Sequence, residues 1–432
     1  MSGARTIAAY LDPARAPAER PTLAAMGAAT RELHEAVDAN APYLHPERRT
    51  IQRDLGTSAT GVAWQEAKAS FTLTGDGAWS ELPHLYARYG TPGTSKLIAA
   101  LRQLEHAKCG FVVDCGMQAV ALVADVSIGH GSHAIAMRQV YNKTRAFFET
   151  TAKRVGATFT LVDDGDLAAL AAALRPETRF VFGETFTNPL GRAQDIPALV
   201  ELVHRVPGAR LVIDSTIATP WGIRTPLLDQ GVDVVTGSMT KALGGQDAAL
   251  GGYIATNHAE LGNQIMDLIA MRGGILDDER ALRVVSNLPL AESMHARRCE
   301  TAAKVAAFLA AHPRVERVFH PSRPDHPDAA IIARDYVRTG SLLAFRVKDV
   351  DEAGHRVLAD ALVSCGVLRY ALSFDGLVTK VNHHRSVSEY FTPPDMVARL
   401  GIDRLIRLGI GIEDADDLIA CLNWTLHNAS RA

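Results

Sequence analysis

The strongest constraint on the fold is a regular alternation that runs from about residue 110 to about residue 255. Apolar runs with the length of β-strands are separated by stretches with helical periodicity. The strand candidates are His133–Met137, Thr158–Val162, Arg179–Phe182, Arg210–Ile213, Val232–Thr236 and Gly252–Ala255. The helix candidates are Met117–Val126, Thr144–Arg154, Leu167–Leu174 and Ile196–His204. This alternation predicts an α/β fold with a mostly parallel sheet, in which binding residues lie at the carboxyl ends of the strands.

A second pattern begins after about Leu261, where the chain becomes predominantly helical. Residues Arg280–Pro313 combine Ala, Leu, Glu and Arg at helical spacing. Strand-like runs follow at Val315–Phe319, Ser341–Val347 and Leu405–Ile410, with helical segments between them. This mixture predicts a second, smaller α+β domain at the C-terminal end of the chain.

Lys241 lies in the most suggestive loop of the chain. The segment 233–245 consists of a β-branched run, a polar turn, one lysine and then two glycines. An amine flanked by the hydroxyls of Ser238 and Thr240 suits a lysine that forms a Schiff base, with phosphate ligands beside it. A solvated surface lysine fits the segment about equally well, so the other motifs must decide between the two.

Two charged residues stand in apolar strand segments, where an unpaired charge costs several kcal/mol. Asp214 either caps the following turn or faces a cationic ring nitrogen. Arg407 either clamps a ligand carboxylate in a bidentate manner or forms a buried ion pair, for example with Glu413. Because Asp214 and Lys241 follow two successive predicted strands, we expect them to face one cleft.

Three further turns follow apolar runs. Gly116 and Met117 open a helix, where backbone amides and the helix dipole favour an anion, although an ordinary helix start has the same pattern. Tyr141 either covers a planar ligand or is a plain rim residue, and Asn188 before Pro189 is also typical of a simple turn.

An irregular region at residues 45–95 contains many turn formers and is too long for a simple linker. Segments of this kind often reach onto a neighbouring subunit. Within it, Tyr86 and Arg88 together suit phosphate binding, and a surface loop is the alternative.

Composition excludes several classes of function. The chain has 432 residues and a formal net charge of -3, which is unlike the basic footprint of a nucleic-acid-binding protein. Its apolar runs stop well short of the ~18 residues that a membrane span requires. His383 and His384 have no His or Cys partner at ligand spacing, so we expect no metal site. Five scattered cysteines without a C-x-x-C pair are typical of reduced thiols in a cytoplasmic protein.

Taken in order along the chain, these motifs resemble the Cys/Met-metabolism family of pyridoxal-phosphate (PLP) enzymes. That family includes cystathionine γ-synthase, cystathionine γ-lyase and methionine γ-lyase, and it has the aspartate-aminotransferase-like fold of type I PLP enzymes. The resemblance runs from about Tyr86 to the C-terminus. The stretches that carry it are Tyr86–Pro92, Cys115–Met117, Asp214–Pro220, Ser238–Gly245 and Arg407–Leu418.

The resemblance implies a role for each motif. Lys241 would bind the cofactor as a Schiff base and shuttle protons, and Tyr141 would stack on the cofactor ring and assist in proton transfer. The remaining cofactor-binding residues would be Tyr86 and Arg88 from a neighbouring subunit, Gly116, Met117, Asp214, Ser238 and Thr240. Arg407 would clamp the substrate α-carboxylate with Ser373, and Asn188 would lie near the carboxylate or the cofactor.

Some positions depart from the family pattern. Tyr141-Asn142-Lys143-Thr144 replaces the usual Tyr-Gly-Gly-Thr, so a cation stands beside the stacking tyrosine. We therefore include Lys143 among the substrate-binding residues and expect an unusual side chain or leaving group. The family's Ser-Leu-Gly appears as Ser373-Phe-Asp-Gly.

The resemblance predicts PLP-dependent γ-elimination or γ-replacement on a γ-substituted L-amino acid. The alternatives are β-elimination or transamination with the same cofactor, and a PLP-binding homologue without catalysis. We expect a homotetramer built as a dimer of catalytic dimers. The predicted domains are an arm at residues 1–85 that contributes to the neighbouring subunit, a PLP-binding α/β domain at 86–285, and a C-terminal α+β domain at 286–432.

Overall fold

The computed structural model describes residues 22–40 and 87–428, and for residues 35–40 it describes the backbone alone. The strands are β1 Cys109–Val113, β2 His133–Met137, β3 Thr158–Val162, β4 Thr178–Glu184, β5 Arg210–Asp214, β6 Val234–Ser238, β7 Gly252–Thr256, β8 Val315–Phe319, β9 Leu342–Val347, β10 Arg369–Tyr370, β11 Lys380–His383 and β12 Ile406–Gly409. After a short 3-10 turn at Leu23–Ala25, the helices are α1 Ala28–Asn40, α2 Pro92–Glu105, α3 Gly116–Ser127, α4 Asn142–Val155, α5 Leu167–Ala173, α6 Ile196–Val203, α7 Thr219–Gly222, α8 Ala259–Arg272, α9 Asp278–Ala311, α10 Ala329–Asp335, α11 Glu352–Val363, α12 His384–Val387, α13 Pro394–Leu400 and α14 Ala415–Asn428.

The larger sheet has seven strands in the order β1-β7-β6-β5-β4-β2-β3. Pairing is parallel from β6 through β5, β4 and β2 to β3, whereas β7 runs antiparallel to both of its neighbours. This confirms the predicted mostly parallel α/β sheet. Parallel strands have helices on both faces, which explains why their sequences are continuous apolar runs without a polar alternation.

The core of the large domain lies between this sheet and its helices. Phe148 of α4 packs edge-on against Phe180 and Phe182 of β4, with ring centroids 5.0 Å apart in each pair. All three rings are at most 1% exposed. Aromatic pairs in this geometry add about 0.5–1.5 kcal/mol to the burial of their surface. They hold β4, and with it the polar residues at its carboxyl end, in one position.

The C-terminal domain contains a five-stranded sheet in the order β10-β11-β12-β9-β8, in which only β10 and β11 pair in parallel. A separate apolar core covers this sheet. Helix α9, with 34 residues, runs between the two domains. Its Val284 belongs to the core of the large domain and its Leu309 to that of the C-terminal domain, and Pro289 lies inside the helix.

The described part of the N-terminal region packs against the C-terminal domain of the same chain. Met26 is 1% exposed within that domain's core, and the backbone amide of Gly27 donates to Asp417 at 3.2 Å. Most of the predicted arm at residues 1–85 lies outside the described residues, so its contribution to a neighbouring subunit remains a prediction. In residues 22–40 and 87–428, no helix is both long enough and apolar enough to cross a membrane.

Candidate active site

A cavity of about 260 Å³ lies where the carboxyl ends of the central parallel strands meet the C-terminal domain. Glu184 ends β4, Asp214 ends β5 and Ser238 ends β6, and all three line the cavity. This is the edge of the sheet that the strand alternation predicted. The predicted site residues that line the same cavity are Gly116, Met117, Tyr141, Asn188, Asp214, Ser238, Thr240, Lys241 and Arg407.

Lys241 points into this cavity from the loop after β6. Its Nζ donates to the hydroxyl of Ser373 at 2.5 Å and lies 4.9 Å from the centre of the Phe374 ring. Burial lowers the pKa of the Lys241 amine to about 8, against an opposing effect of Asp375. An amine with this pKa is partly neutral near physiological pH, as a nucleophile or general base requires. Lys241 is therefore not a solvated surface lysine.

Asp214 and Glu184 stand side by side on paired strands. Burial raises the pKa of the Asp214 carboxyl, and the pKa of Glu184 lies well above its usual range because of burial first and the neighbouring Asp214 second. Asp214 accepts a hydrogen bond from the Thr216 amide at 2.8 Å but forms no ion pair within residues 22–40 and 87–428. A buried carboxylate of this kind would be stabilised by a cationic group in the cavity.

The start of α3 forms part of the cavity wall beside the end of β6. A Cβ atom on Gly116 would lie 2.9 Å from Cβ of Ser238, so only glycine allows the helix to approach β6 this closely. Cys115 precedes the helix without making a side-chain capping bond. The hydroxyl of Thr240 bonds to the backbone of Gly251 nearby. Backbone amides at a helix start, flanked by hydroxyls, suit a phosphate.

Arg407 enters the cavity from β12. Its guanidinium donates to the carbonyl oxygens of Leu372 at 2.7 Å and Ser373 at 3.1 Å, and to Oδ1 of Asn188 at 3.4 Å. Burial lowers the pKa of Arg407 to about 10. Glu413, the alternative partner considered above, accepts instead from the amide and hydroxyl of Thr379.

Arg407 thus has no acidic partner in the described part of the chain, although it is only 2% exposed. A buried guanidinium with neutral partners alone favours an incoming carboxylate, which it can bind through two parallel hydrogen bonds.

Tyr141 borders the opening of the cavity just before α4. Its side chain remains 43% exposed, and its backbone amide donates to Oε1 of Glu184 at 2.6 Å. Burial of the phenol raises its pKa, an effect that Lys143 and Arg407 oppose. The phenol therefore stays protonated near neutral pH and is a possible proton donor.

Lys143 does not line the cavity, although it stands two residues after Tyr141. Its exposed Nζ lies 4.2 Å from the centre of the Phe391 ring and 3.4 Å from the hydroxyl of Tyr390. The buried ion pair of Arg145 with Glu389, at 3.0 Å, holds this aromatic segment against α4. Lys143 is thus part of an aromatic cluster outside the cavity wall.

Tyr86 and Arg88 are the two residues that were predicted to serve a neighbouring subunit. Tyr86 lies outside the described residues. Arg88 lines a separate small cavity of about 40 Å³, together with residues of α2, β1 and α8. Arg88 does not line the main cavity of its own chain.

Glu184, Thr216 and Phe374 are among the residues that line the cavity but were not predicted as site residues. Glu184 lies in the same motif as Asn188, which was the predicted site residue of that motif. Thr216 follows Asp214 by two positions. Phe374 follows Ser373 and lies beside both Lys241 and Arg407, with its ring centre 5.8 Å from the Arg407 guanidinium carbon. Each of these three residues lies close in sequence to a predicted site residue, and this closeness is the signal that could have identified it.

The chain is similar to several known proteins. Residues 53–427 match the model of a family described as Cys/Met metabolism PLP-dependent enzymes. An L-methionine gamma-lyase of Fusobacterium nucleatum is 31% identical over 353 residues, which cover 81% of this chain and 87% of that protein. A cystathionine beta-lyase of Bacillus subtilis is 31% identical over 371 residues, or 85% and 92% of the two chains. The crystal structure of cystathionine gamma synthase from Xanthomonas oryzae pv. oryzae, in complex with aminoacrylate and cysteine, superposes with a TM-score of 0.75 at 28% identity, covering 81% and 89%.

Proposed function

Because this chain belongs to the Cys/Met-metabolism family of PLP-dependent enzymes, we propose that it catalyses γ-elimination or γ-replacement on a γ-substituted L-amino acid. The observation that carries the proposal is the convergence of Lys241, Asp214 and Arg407 on one cavity. Among the described residues, a buried amine with a lowered pKa, a buried carboxylate without a cationic partner and a buried guanidinium without an acidic partner together fit a PLP molecule and an amino-acid carboxylate.

The described residues fit the cofactor group by group. Gly116 and Met117, with the hydroxyls of Ser238 and Thr240, would hold the phosphate, and Asp214 would pair with the protonated ring nitrogen. Bound PLP supplies an electron sink that stabilises negative charge at the substrate α-carbon.

Lys241 would bind the cofactor covalently and then act as the principal proton carrier. Once its amine is released, it can accept the Cα proton because its pKa of about 8 keeps part of the population neutral. The protonated phenol of Tyr141, at the opening of the cavity, would donate a proton to the leaving group. Both residues are therefore assigned catalytic roles.

Arg407 would bind the substrate α-carboxylate, with Asn188 beside it. Ser373 supports this arrangement in two ways, because its carbonyl oxygen orients Arg407 and its hydroxyl accepts from Lys241. These contacts would place the Cα–H bond of the substrate next to the lysine amine.

The reaction type is tested by supplying the PLP-loaded enzyme with a matched panel of amino acids. The panel contains cysteine-like compounds with a leaving group at Cβ and homoserine-like compounds with one at Cγ. We expect release of a keto acid and ammonia from the Cγ series alone, or a new thioether when a thiol nucleophile is added.

Keto-acid release confined to the Cβ series would favour β-elimination, the activity named for the Bacillus subtilis relative. Amino-group transfer to an added keto acid would indicate transamination. Absence of turnover on every compound would favour a non-catalytic PLP-binding homologue.

A homotetramer built from catalytic dimers accords with the position of Arg88. Among the described residues that line the main cavity, the only lysine or arginine side chains are Lys241 and Arg407. A phosphate dianion at Gly116 would thus gain a cation from Arg88, and a hydroxyl from Tyr86, of a neighbouring subunit. A fully active monomer in analytical ultracentrifugation would contradict this assembly.

The five cysteines, all free, accord with a cytoplasmic location.

Lys143 is proposed to select the distal end of the substrate. We expect Lys143→Met to raise KM up to about fivefold for Cγ-linked substrates with a distal carboxylate, because an exposed charge pair contributes up to about 1 kcal/mol. KM for substrates with an uncharged alkyl thioether should stay unchanged. Equal changes in steady-state KM for both classes would show that Lys143 has only a structural contact with Tyr390 and Phe391.

A further inference from the structure

Two loops meet behind Lys241, and Asp375 is the buried acid at their junction. The lysine loop comprises residues 238–247, and the Ser373 loop comprises residues 372–378. Asp375 is 2% exposed, and its Oδ2 accepts from the backbone amide of Ala242 at 3.1 Å. Its Oδ1 accepts from the hydroxyl of Ser341. The carboxylate therefore ties the residue next to Lys241 to the C-terminal domain.

Arg298 of α9 joins the same two loops. Its Nε donates to the carbonyl oxygen of Gly376 at 2.8 Å, and another guanidinium nitrogen donates to that of Gly245. The side chain is fully buried, and within residues 22–40 and 87–428 it forms no ion pair. Asp375 and Arg298 are thus two opposite charges, each bonded to neutral groups, that hold one junction from two sides.

The charge of Asp375 must be balanced by cations at longer range, because a buried carboxylate with neutral partners alone is costly. The groups that face it are Lys241, Arg298, His295 and Cys299. Burial lowers the pKa of His295 to about 4 and raises that of Cys299 to about 12, so both are neutral near pH 7. Lys241 and Arg298 remain as its positive neighbours.

Lys241 also faces charged groups from other elements. Asp247 and Lys380 pair with each other beside it, and Arg407 lies across the cavity. Arg407 and Lys380 disfavour a proton on the lysine nitrogen, as burial does, whereas Asp375 favours one. Two acids thus favour a proton on Lys241. Asp247 is directly paired with Lys380, whereas Asp375 forms no ion pair among the described residues.

We propose that Asp375 is a positioning residue for Lys241, which fixes the lysine loop against the Ser373 loop and supplies the buried negative charge that keeps the lysine nitrogen protonatable. This role concerns the resting enzyme. It goes beyond the proposed reaction and is independent of which γ-substituted substrate the enzyme accepts.

The test is the pH titration of the visible absorbance of the PLP-loaded enzyme without substrate, which reports the protonation of the lysine-linked nitrogen. Asp375→Asn removes the charge but keeps both hydrogen bonds, because the amide oxygen can accept from Ala242 and the amide nitrogen can donate to Ser341. Asn also tolerates the left-handed backbone at this position, where φ is 58°. We expect the titration midpoint to fall by about one pH unit, since loss of a nearby negative charge disfavours the protonated form.

Asp247→Asn is the matched control, because it removes a carboxylate from the lysine loop that is 40% exposed and paired with Lys380. Its midpoint should fall less than that of Asp375→Asn, because solvent screens the lost carboxylate and the shift comes mainly from Lys380, which then faces Lys241 without its partner. An unchanged midpoint in Asp375→Asn, or equal shifts in Asp375→Asn and Asp247→Asn, would each overturn the proposal. Since no substrate is present, failure of the proposed γ-chemistry would leave the midpoints unaffected.

Discussion

Replacing Lys241 with alanine is expected to abolish the visible absorbance of the covalently bound cofactor and to lower kcat by about a thousandfold or more. The amine is both the anchoring nucleophile and the proposed proton carrier, and loss of a positioned acid–base group alone costs about 10²–10⁴ in rate. The measurement is the absorbance spectrum after reconstitution with PLP, followed by keto-acid release under saturating substrate.

Lys153→Ala serves as the control, because Lys153 is an exposed lysine in the last turn of α4. It should retain both the spectrum and the turnover of the parent enzyme. Persistence of the visible band together with full turnover in the Lys241→Ala variant would refute the assignment of the anchoring residue.

Arg407→Lys is expected to lower kcat/KM by about a hundredfold while leaving the cofactor spectrum unchanged. Lysine keeps the positive charge but loses the planar fork that binds a carboxylate through two hydrogen bonds, and charge-assisted bonds contribute about 1.5–3 kcal/mol each. The loss should appear mainly in KM, because the α-carboxylate is bound equally in the ground state and the transition state. Steady-state kinetics and a cofactor titration separate the two effects.

Arg346→Lys provides a comparison on the neighbouring strand β9, where the arginine pairs with Glu316 at 3.3 Å instead of facing the cavity. Its kinetics should match those of the parent enzyme. If Arg407→Lys instead lost PLP affinity and kept its KM, Arg407 would belong to the cofactor site and the substrate clamp would have to be sought elsewhere.

Much of this site could be predicted from sequence because its chemistry is concentrated where strands end. Continuous apolar runs located the parallel strands, and Asp214 and Ser238 stand at the carboxyl ends of two of them. The predicted β6, at Val232–Thr236, was displaced by two residues, because the ladder to β5 and β7 begins at Val234. The displacement leaves the identity of the site residues unaffected.

Helix α2 and strand β1 of the large domain are among the elements that were not predicted, for identifiable local reasons. Helix α2 begins with Pro92-Gly93, which reads as a turn, but Thr91 and Thr94 form a reciprocal capping box that starts the helix. Strand β1 includes Cys109 and Gly110, which are poor strand signals, and its antiparallel pairing with β7 compensates for them.

The other features that could not be predicted from the sequence depend on contacts between residues far apart in the chain. Asp375 and Arg298 are separated by 77 positions and hold the same two loops through Ala242, Gly245 and Gly376, so no local motif indicates their junction. The position of Lys143 likewise depends on Tyr390 and Phe391, which belong to the other domain. The departure from the family's Tyr-Gly-Gly-Thr pattern identified Lys143 as unusual but could not show which surface it contacts.

The 34-residue helix α9 also has a mechanical consequence. The helix is about 50 Å long and its two ends are embedded in different cores, so the domains cannot slide past each other without deforming it. Its weakest point is Pro289, which lacks the N–H that would bond to the carbonyl of Val285. On one side of that point Asn287 donates to the carbonyl of Gly244, and on the other Arg298 donates to that of Gly245. Any bending of the helix at Pro289 would therefore displace two adjacent peptides of the lysine loop, one bonded to each side of the bend. It would transmit the motion of the domains to the lysine itself.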